Sequence, residues 1–69
     1  MEALKDHFEY WFGQIVYLKT DGDQHKRIVT GINIRPHGVS YALCHGNTES
    51  WHYAFEITSE VDVLIRTTN

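Results

Sequence analysis

Few residues in this chain are equipped for chemistry, and most of those stand close together. Cys44, His45 and His52 are the nearest approach to a ligand set. Structural zinc takes four Cys or His ligands, usually in close pairs. Strand alternation would place Cys44 opposite His52 on an outer face and turn His45 the other way, which leaves two ligands. His37, at the far end of the same strand, would sit about 20 Å away at ~3.3 Å per residue. No metal site is expected. The same Cys44–His52 juxtaposition has two parts of a nucleophile–base pair, with Glu49 or Asn47 to orient the base. Covalent catalysis also needs an oxyanion site and a pocket, and no stretch marks either. The chain is therefore expected not to be an enzyme and to carry no cofactor. The acids of Thr20-Asp21-Gly22-Asp23-Gln24 alternate as in a calcium loop. The glycine at the sixth place and the glutamate at the twelfth that an EF-hand requires are missing.

The aromatic residues are the better functional lead. Two Trp, four Tyr and three Phe in 69 residues are a large apolar load for a chain that buries only ~60% of its unfolded surface. Tyr41, Tyr53 and Phe55 read as core. Tyr17 reads as outward, because Val16 and Leu18 claim the inside of its strand. Exposed aromatics hold peptides and cations and recur among interface hot spots. The candidate binding residues are Tyr17, Arg35, His37, Trp51 and His52, with a patch around Tyr17 and Trp51.

These residues must be positioned by short strands. Residues 1–12 form a lead-in segment or short helix, with Leu4, Phe8 and Trp11 on one helical face. Gly13 ends it. Strand one runs from Gln14 to Lys19, followed by a polar turn through Asp21-Gly22. Strand two runs from about Lys26 to Ile34, with Ile28, Thr30, Ile32 and Ile34 on one face. Gly31, in mid-strand, marks a bulge or bend. Pairing Ile34 with Val39 aligns Ile32 with Tyr41 and Thr30 with Leu43 across a four-residue loop, Arg35 to Gly38. A turn over His45 to Glu49 leads to strand four, Ser50 to Phe55. Pairing Leu43 with Tyr53 aligns Tyr41 with Phe55. A turn or single helical turn over Glu56 to Glu60 precedes strand five, Val61 to Arg66.

Five short strands with tight hairpins suggest a mainly β, strongly bent small barrel of antiparallel strands. The run Gly13-Gln14-Ile15-Val16-Tyr17-Leu18-Lys19-Thr20 resembles the G-x-x-V-x-L-K-[ST] opening strand of small SH3-like barrels. It is similar to a set of short, largely uncharacterised bacterial and prophage proteins. In those an apolar run and an aromatic-rich strand follow, places taken here by Arg27-Ile28-Val29-Thr30 and by Trp51-His52-Tyr53-Ala54-Phe55-Glu56. The likeness covers roughly Gly13 to Leu64, with Thr20-Asp21-Gly22-Asp23 standing where that set has S-G-G-P. It implies one SH3-like barrel domain over residues 1–69, the barrel itself over 13–66. It also implies a fold that mostly binds peptides, nucleic acids or other domains and seldom catalyses.

A small non-catalytic binding or adaptor module, of phage or mobile-element origin, is the function expected. Its partner is expected to be another protein or a second copy of the chain. The alternative is a nucleic-acid module like the KOW strand, acting through Lys19, Lys26, Arg27 and Arg35 beside Tyr17. The K-G-x-x-G that motif needs is not supplied by Lys26 to Gly31. The net charge of −3 and the scatter of six cations along the chain also disfavour phosphate binding. A single cysteine and no signal-peptide pattern in Met1 to Asp6 point to the cytoplasm. No stretch is apolar enough for a membrane span.

Overall fold

The structure, a computed structural model, describes residues 4–61. They form one antiparallel sheet of five strands: β1 (Ile15–Leu18), β2 (Arg27–Arg35), β3 (Gly38–His45), β4 (Thr48–Tyr53) and β5 (Ile57–Thr58). The spatial order is β4-β3-β2-β1-β5. A 3₁₀ turn at Leu4–His7 opens the chain and a second, Ala54–Glu56, joins β4 to β5. No α-helix occurs among the described residues, and no helix there is long and apolar enough to cross a membrane.

The lead-in is thus not the helix that the spacing of Leu4, Phe8 and Trp11 allows. Tyr10, off that face, is the residue that enters the core. Its ring meets Tyr41 edge-on at 5.4 Å, and its hydroxyl donates to the Ile57 carbonyl at 2.9 Å. Burial, then the Glu9 charge beside it, push that hydroxyl's pKa up. Gly13 then turns the chain with φ +82° and donates its N–H to the Val29 carbonyl at 2.8 Å, which starts the β1–β2 ladder.

The β2–β3 hairpin has the expected register at its tip, with Ile34 opposite Val39 and Ile32 opposite Tyr41. Arg35 also pairs with Gly38, so the loop is only Pro36-His37. Among the described residues no non-glycine but Gln24 has positive φ, which makes this a type I turn with proline at its first central position. Deeper in, the register shifts: Val29 faces Leu43 and Gly31 faces Ala42. Thr30 is the extra residue of a β-bulge and does not face Leu43. The bulge inverts the phase of the strand. Val29 points inward before it and Ile32 after it, while Ile28 is on the outside opposite Ile15. Ile34 shares the inner side but lies past the core at the hairpin tip and is 66% exposed.

The largest correction concerns β3 and β4. Leu43 faces Ser50 and Tyr41 faces His52; neither faces Tyr53 or Phe55. The connecting loop is two residues, Gly46-Asn47, closed by His45 opposite Thr48. Gly46 has φ +60° and Asn47 is not in the positive region, the signature of a type II′ turn with glycine first. Relative to a five-residue turn the register moves by an odd number of residues. Every side chain of β4 therefore changes face.

The segment after β4 also differs from the expectation. Ile57 and Thr58 pair with Leu18 and Tyr17 of β1, where a turn was expected. Of the expected strand Val61 to Arg66, all but Val61 lies outside the described residues.

β4 and β5 are neighbours in sequence yet occupy opposite edges of the sheet. Four strand spacings of ~4.8 Å in a flat sheet would separate them by about 19 Å. The four residue steps from Tyr53 to Ile57 reach about 14 Å at most. The sheet must curl to bring its edges towards each other, and Lys19, just after β1, donates its N–H to the Glu56 carbonyl at 2.9 Å. Among the described residues β4 and β5 are not paired, so the sheet curls without closing into the expected barrel. Inside the curl lie Tyr10, Val16, Val29, Tyr41, Leu43 and Ile57, with Leu18, Ile32, Val39 and Ala54 packed against them.

Candidate functional site

Because of the Gly46-Asn47 turn, the aromatic residues of β4 face outward. Trp51 is 53% exposed and Phe55, in the following 3₁₀ turn, 74%. Tyr53 lies between them, with its ring parallel to that of Phe55 at 5.9 Å and 6°. His37, from the type I turn, completes the cluster: its Nε2 is hydrogen-bonded to the Tyr53 hydroxyl at 3.1 Å, and the two rings meet edge to face at 6.1 Å. His37, Tyr53 and Phe55 border an open groove of about 460 Å³ with Glu9 and Lys19 on its rim. The groove lies where the curl brings the end of β1 beside the end of β4.

Trp51 is held differently. It lies across two small residues of the neighbouring strands, Gly31 and Ala42. A Cβ built on Gly31 would come within 3.1 Å of both the Ala42 Cβ and the Trp51 Cη2. Ala42 is buried on this outer face. The bulged Thr30 donates its hydroxyl to the Glu49 carboxylate at 2.6 Å, beside the same row.

His52 and Ser50 point to the other side of β4. The Ser50 hydroxyl and His52 Nε2 are 2.6 Å apart, and His52 Nδ1 is 3.4 Å from Glu56 Oε1. The other Glu56 oxygen accepts the Tyr53 N–H at 2.8 Å. That backbone bond first, and His52 second, lower the Glu56 pKa. The order Ser, His, Glu has the connectivity of a proton relay. Acyl transfer also requires donors placed for an oxyanion beside the nucleophile, and neither groove described here is lined by Ser50 or His52. What the network does is mechanical. Glu56 reaches back to the strand end as one half of a capping box and so fixes the turn that carries Phe55 against Tyr53.

The remaining chemistry-bearing residues do not converge. Cys44 is on the outer face opposite Glu49, with its thiol 3.4 Å from the Gly46 carbonyl, so it is not the partner of His52. His45 turns to the Lys26 carbonyl at 3.2 Å and packs its ring on His25 at 4.4 Å. Asp21, Asp23 and His25 do bring donor atoms within 4.8 Å of one another. The Asp21 carboxylate is already used, however. It accepts the N–H groups of Asp23 at 3.0 Å and His25 at 3.1 Å, and the Arg27 guanidinium at 3.3 Å. It locks the turn in which Gln24 takes φ +50°.

These bonds, the His25 N–H foremost, hold the Asp21 pKa down at about 2. A carboxyl depressed in the folded state adds stability that is complete above its unfolded pKa of ~3.9 and is lost as pH falls through the folded value. Asp21→Ala should cost about 1–2 kcal/mol at neutral pH. The gap in melting temperature between the two proteins should hold steady above about pH 5 and narrow towards pH 2. A gap that does not change with pH would show that the charge is not what stabilises the turn.

Of the residues singled out from the sequence, His37 and Trp51 lie at the exposed outer-face aromatic groups. Arg35 is exposed at the end of β2, next to His37 in the chain. His52 is half-buried on the inner side and shapes the site without lining it. Tyr17 is half-buried beside a smaller recess of about 180 Å³ shared with Asp23, Lys26 and Val61. Tyr17 does not line the groove beside Tyr53 and Phe55. Tyr53 and Phe55, assigned to the core by the sequence reading, are instead the centre of the site. Lys19, Glu9 and Glu56 join them. A scan of protein-family models, a search of curated proteins and a search of solved structures each return no match to this chain.

Proposed function

We propose that this chain is a small non-catalytic binding module that works by protein–protein contact, built as an SH3-like barrel and acting in the cytoplasm. The observation that carries the reading is the exposed aromatic row Trp51, Tyr53 and Phe55 on one strand and its exit turn. Single exposed apolar residues are ordinary on a surface, but a contiguous row backed by an ordered turn marks a contact site. The parallel Tyr53–Phe55 pair and the His37 hydrogen bond hold the rings before any partner arrives, which lowers the entropy lost on binding. The Glu9 and Lys19 rim offers both signs of charge for orientation. The fold assignment is supported by the all-antiparallel order and by the curl that the three-residue connection of β4 to β5 imposes.

Nucleic-acid binding has less support. Arg27 is engaged by Asp21, and Lys19 and Lys26 border different grooves.

The test is quantitative affinity capture from cells of the source organism with the wild-type protein, Phe55→Ala and Tyr53→Ala. Phe55 is so exposed that its truncation should change stability by less than about 0.5 kcal/mol. As an interface anchor it should be worth about 2 kcal/mol or more, a loss of roughly 30-fold in affinity. Undiminished capture by both folded variants would discard the groove as the contact site.

A further inference from the structure

We propose that β4 pairs with β4 of a second copy, antiparallel, about a two-fold axis at Ser50. This rests on reading the chain as a protein-contact module and names one of its partners. The Tyr53 N–H is taken by the Glu56 side chain, so it faces away from β3. Groups alternate along a strand, and the N–H and C=O of Trp51 and Glu49 therefore face the same open side. Among the described residues β4 pairs with β3 alone. Edge strands that must stay single are guarded by Lys, Pro or a bulge. Thr48–Tyr53 contains no Lys, Arg or Pro, and its register with β3 runs without a shift.

The position of the axis follows by elimination. Opposite residues of an antiparallel pair share a face, so a two-fold between identical strands passes through a residue. The two-fold can lie at a hydrogen-bonded or a non-hydrogen-bonded pair, so that residue is one of Glu49 to Tyr53. An axis at Glu49 sets two carboxylates against each other. An axis at Tyr53 meets an N–H already bonded to Glu56 and runs into the 3₁₀ turn. An axis at Trp51 or His52 sets Glu49 or Trp51 against that same occupied Tyr53 N–H, whereas an axis at Ser50 sets Glu49 against Trp51 and Thr48 against His52, with both free amides paired and no like charges opposed. Each indole then lies beside Glu49 of the second copy on the outer face. A ladder of five residues per strand, Thr48 to His52, with two half-exposed tryptophans falls at the small, transient end of interfaces, below about 1,200 Å². The pairing is accordingly weak and depends on concentration.

Sedimentation velocity and amide hydrogen exchange resolved by NMR, from about 10 µM to about 1 mM, test this on the wild-type chain in the range where a weak dimer forms. The expected result is a dimer growing in with concentration, with exchange at the Glu49 and Trp51 amides slowing about tenfold in step. Trp51→Glu opposes a second carboxylate to Glu49 on each side of the axis and should stay monomeric throughout, with an unchanged far-UV spectrum. A chain monomeric to the top of the range overturns the proposal, as does a dimer in which those two amides exchange at the monomer rate. Either result, obtained while Phe55-dependent capture persists, removes the self-pairing and leaves the contact module standing. Self-pairing without Phe55-dependent capture does the reverse to the groove.

Discussion

Tyr41→Ala is expected to leave the domain largely unfolded at 25 °C. Tyr41 is 2% exposed at the centre of the sheet, faces Ile32 and His52 across its two neighbours and carries the edge-to-face contact with Tyr10. Replacing a large buried aromatic by alanine costs about 3–5 kcal/mol. At 0.05–0.15 kcal/mol per residue a chain of this length has about 3–10 kcal/mol in total. Loss of Tyr41 also leaves the Tyr10 ring unsupported over the open end of the core. The control is Tyr53→Ala, the same residue type on the outer face of the next strand, which should cost under about 1 kcal/mol. Urea titrations followed by far-UV circular dichroism compare the two. Equal midpoints would mean that the faces of β3 and β4 are wrongly assigned.

Gly31→Val should cost about 1–3 kcal/mol and displace Trp51, as overpacking does. The backbone at Gly31 is not in the left-handed region, so φ is not what excludes a side chain. Space is. The added Cβ would lie 3.1 Å from the Ala42 Cβ, which is fixed to the adjacent strand, and 3.1 Å from the Trp51 ring, which can swing away. The branched methyls of valine then fill the place of the indole. The readout is the emission of Trp51 in a Trp11→Phe background, shifted to the red as the ring gains water, with a lower melting temperature. Unchanged emission would show that the indole does not rest on Gly31. Because Trp51 lies beside the proposed two-fold, the same variant should weaken self-pairing.

Much of the scaffold was legible in the residues. The Pro36-His37 turn followed from proline at the first central position and from register arithmetic that placed Ile32 against Tyr41. The alternation of Val16 and Leu18 oriented β1 correctly. Gly31 was recognised as the site of an irregularity, although its reason, a tryptophan lying across it, depends on β4 and could not be read locally. His37 and Trp51 are legible as surface residues, and Tyr53 and Phe55 are lost from the site through a single turn. Gly46-Asn47 is a two-residue hairpin signal as strong as any in the chain, but the five residues around it are all polar or small and read equally well as one long turn. The difference of an odd number of residues moved Tyr53 and Phe55 from surface to core. Ser50 and Glu56 were lost with them, since their partner His52 was placed on the wrong side. The Asp21 turn was noticed for its acids. What those acids do depends on Arg27, whose approach follows from the path of the loop and not from its composition.

The direct hydrogen bond between Tyr10 and Ile57, 47 positions apart, has a consequence for how the chain reaches this state. β2, β3 and β4 form two consecutive hairpins with two-residue loops, so their contacts are close in sequence and lose little entropy on forming. Tyr10 against Ile57, Leu18 against Ile57 and the Lys19–Glu56 bond join the two ends of the described chain instead. The entropic cost of ring closure is concentrated in that one seam. On sequence separation alone, the meander that carries the aromatic row is expected to assemble first, and the seam that curls it and shapes the groove last.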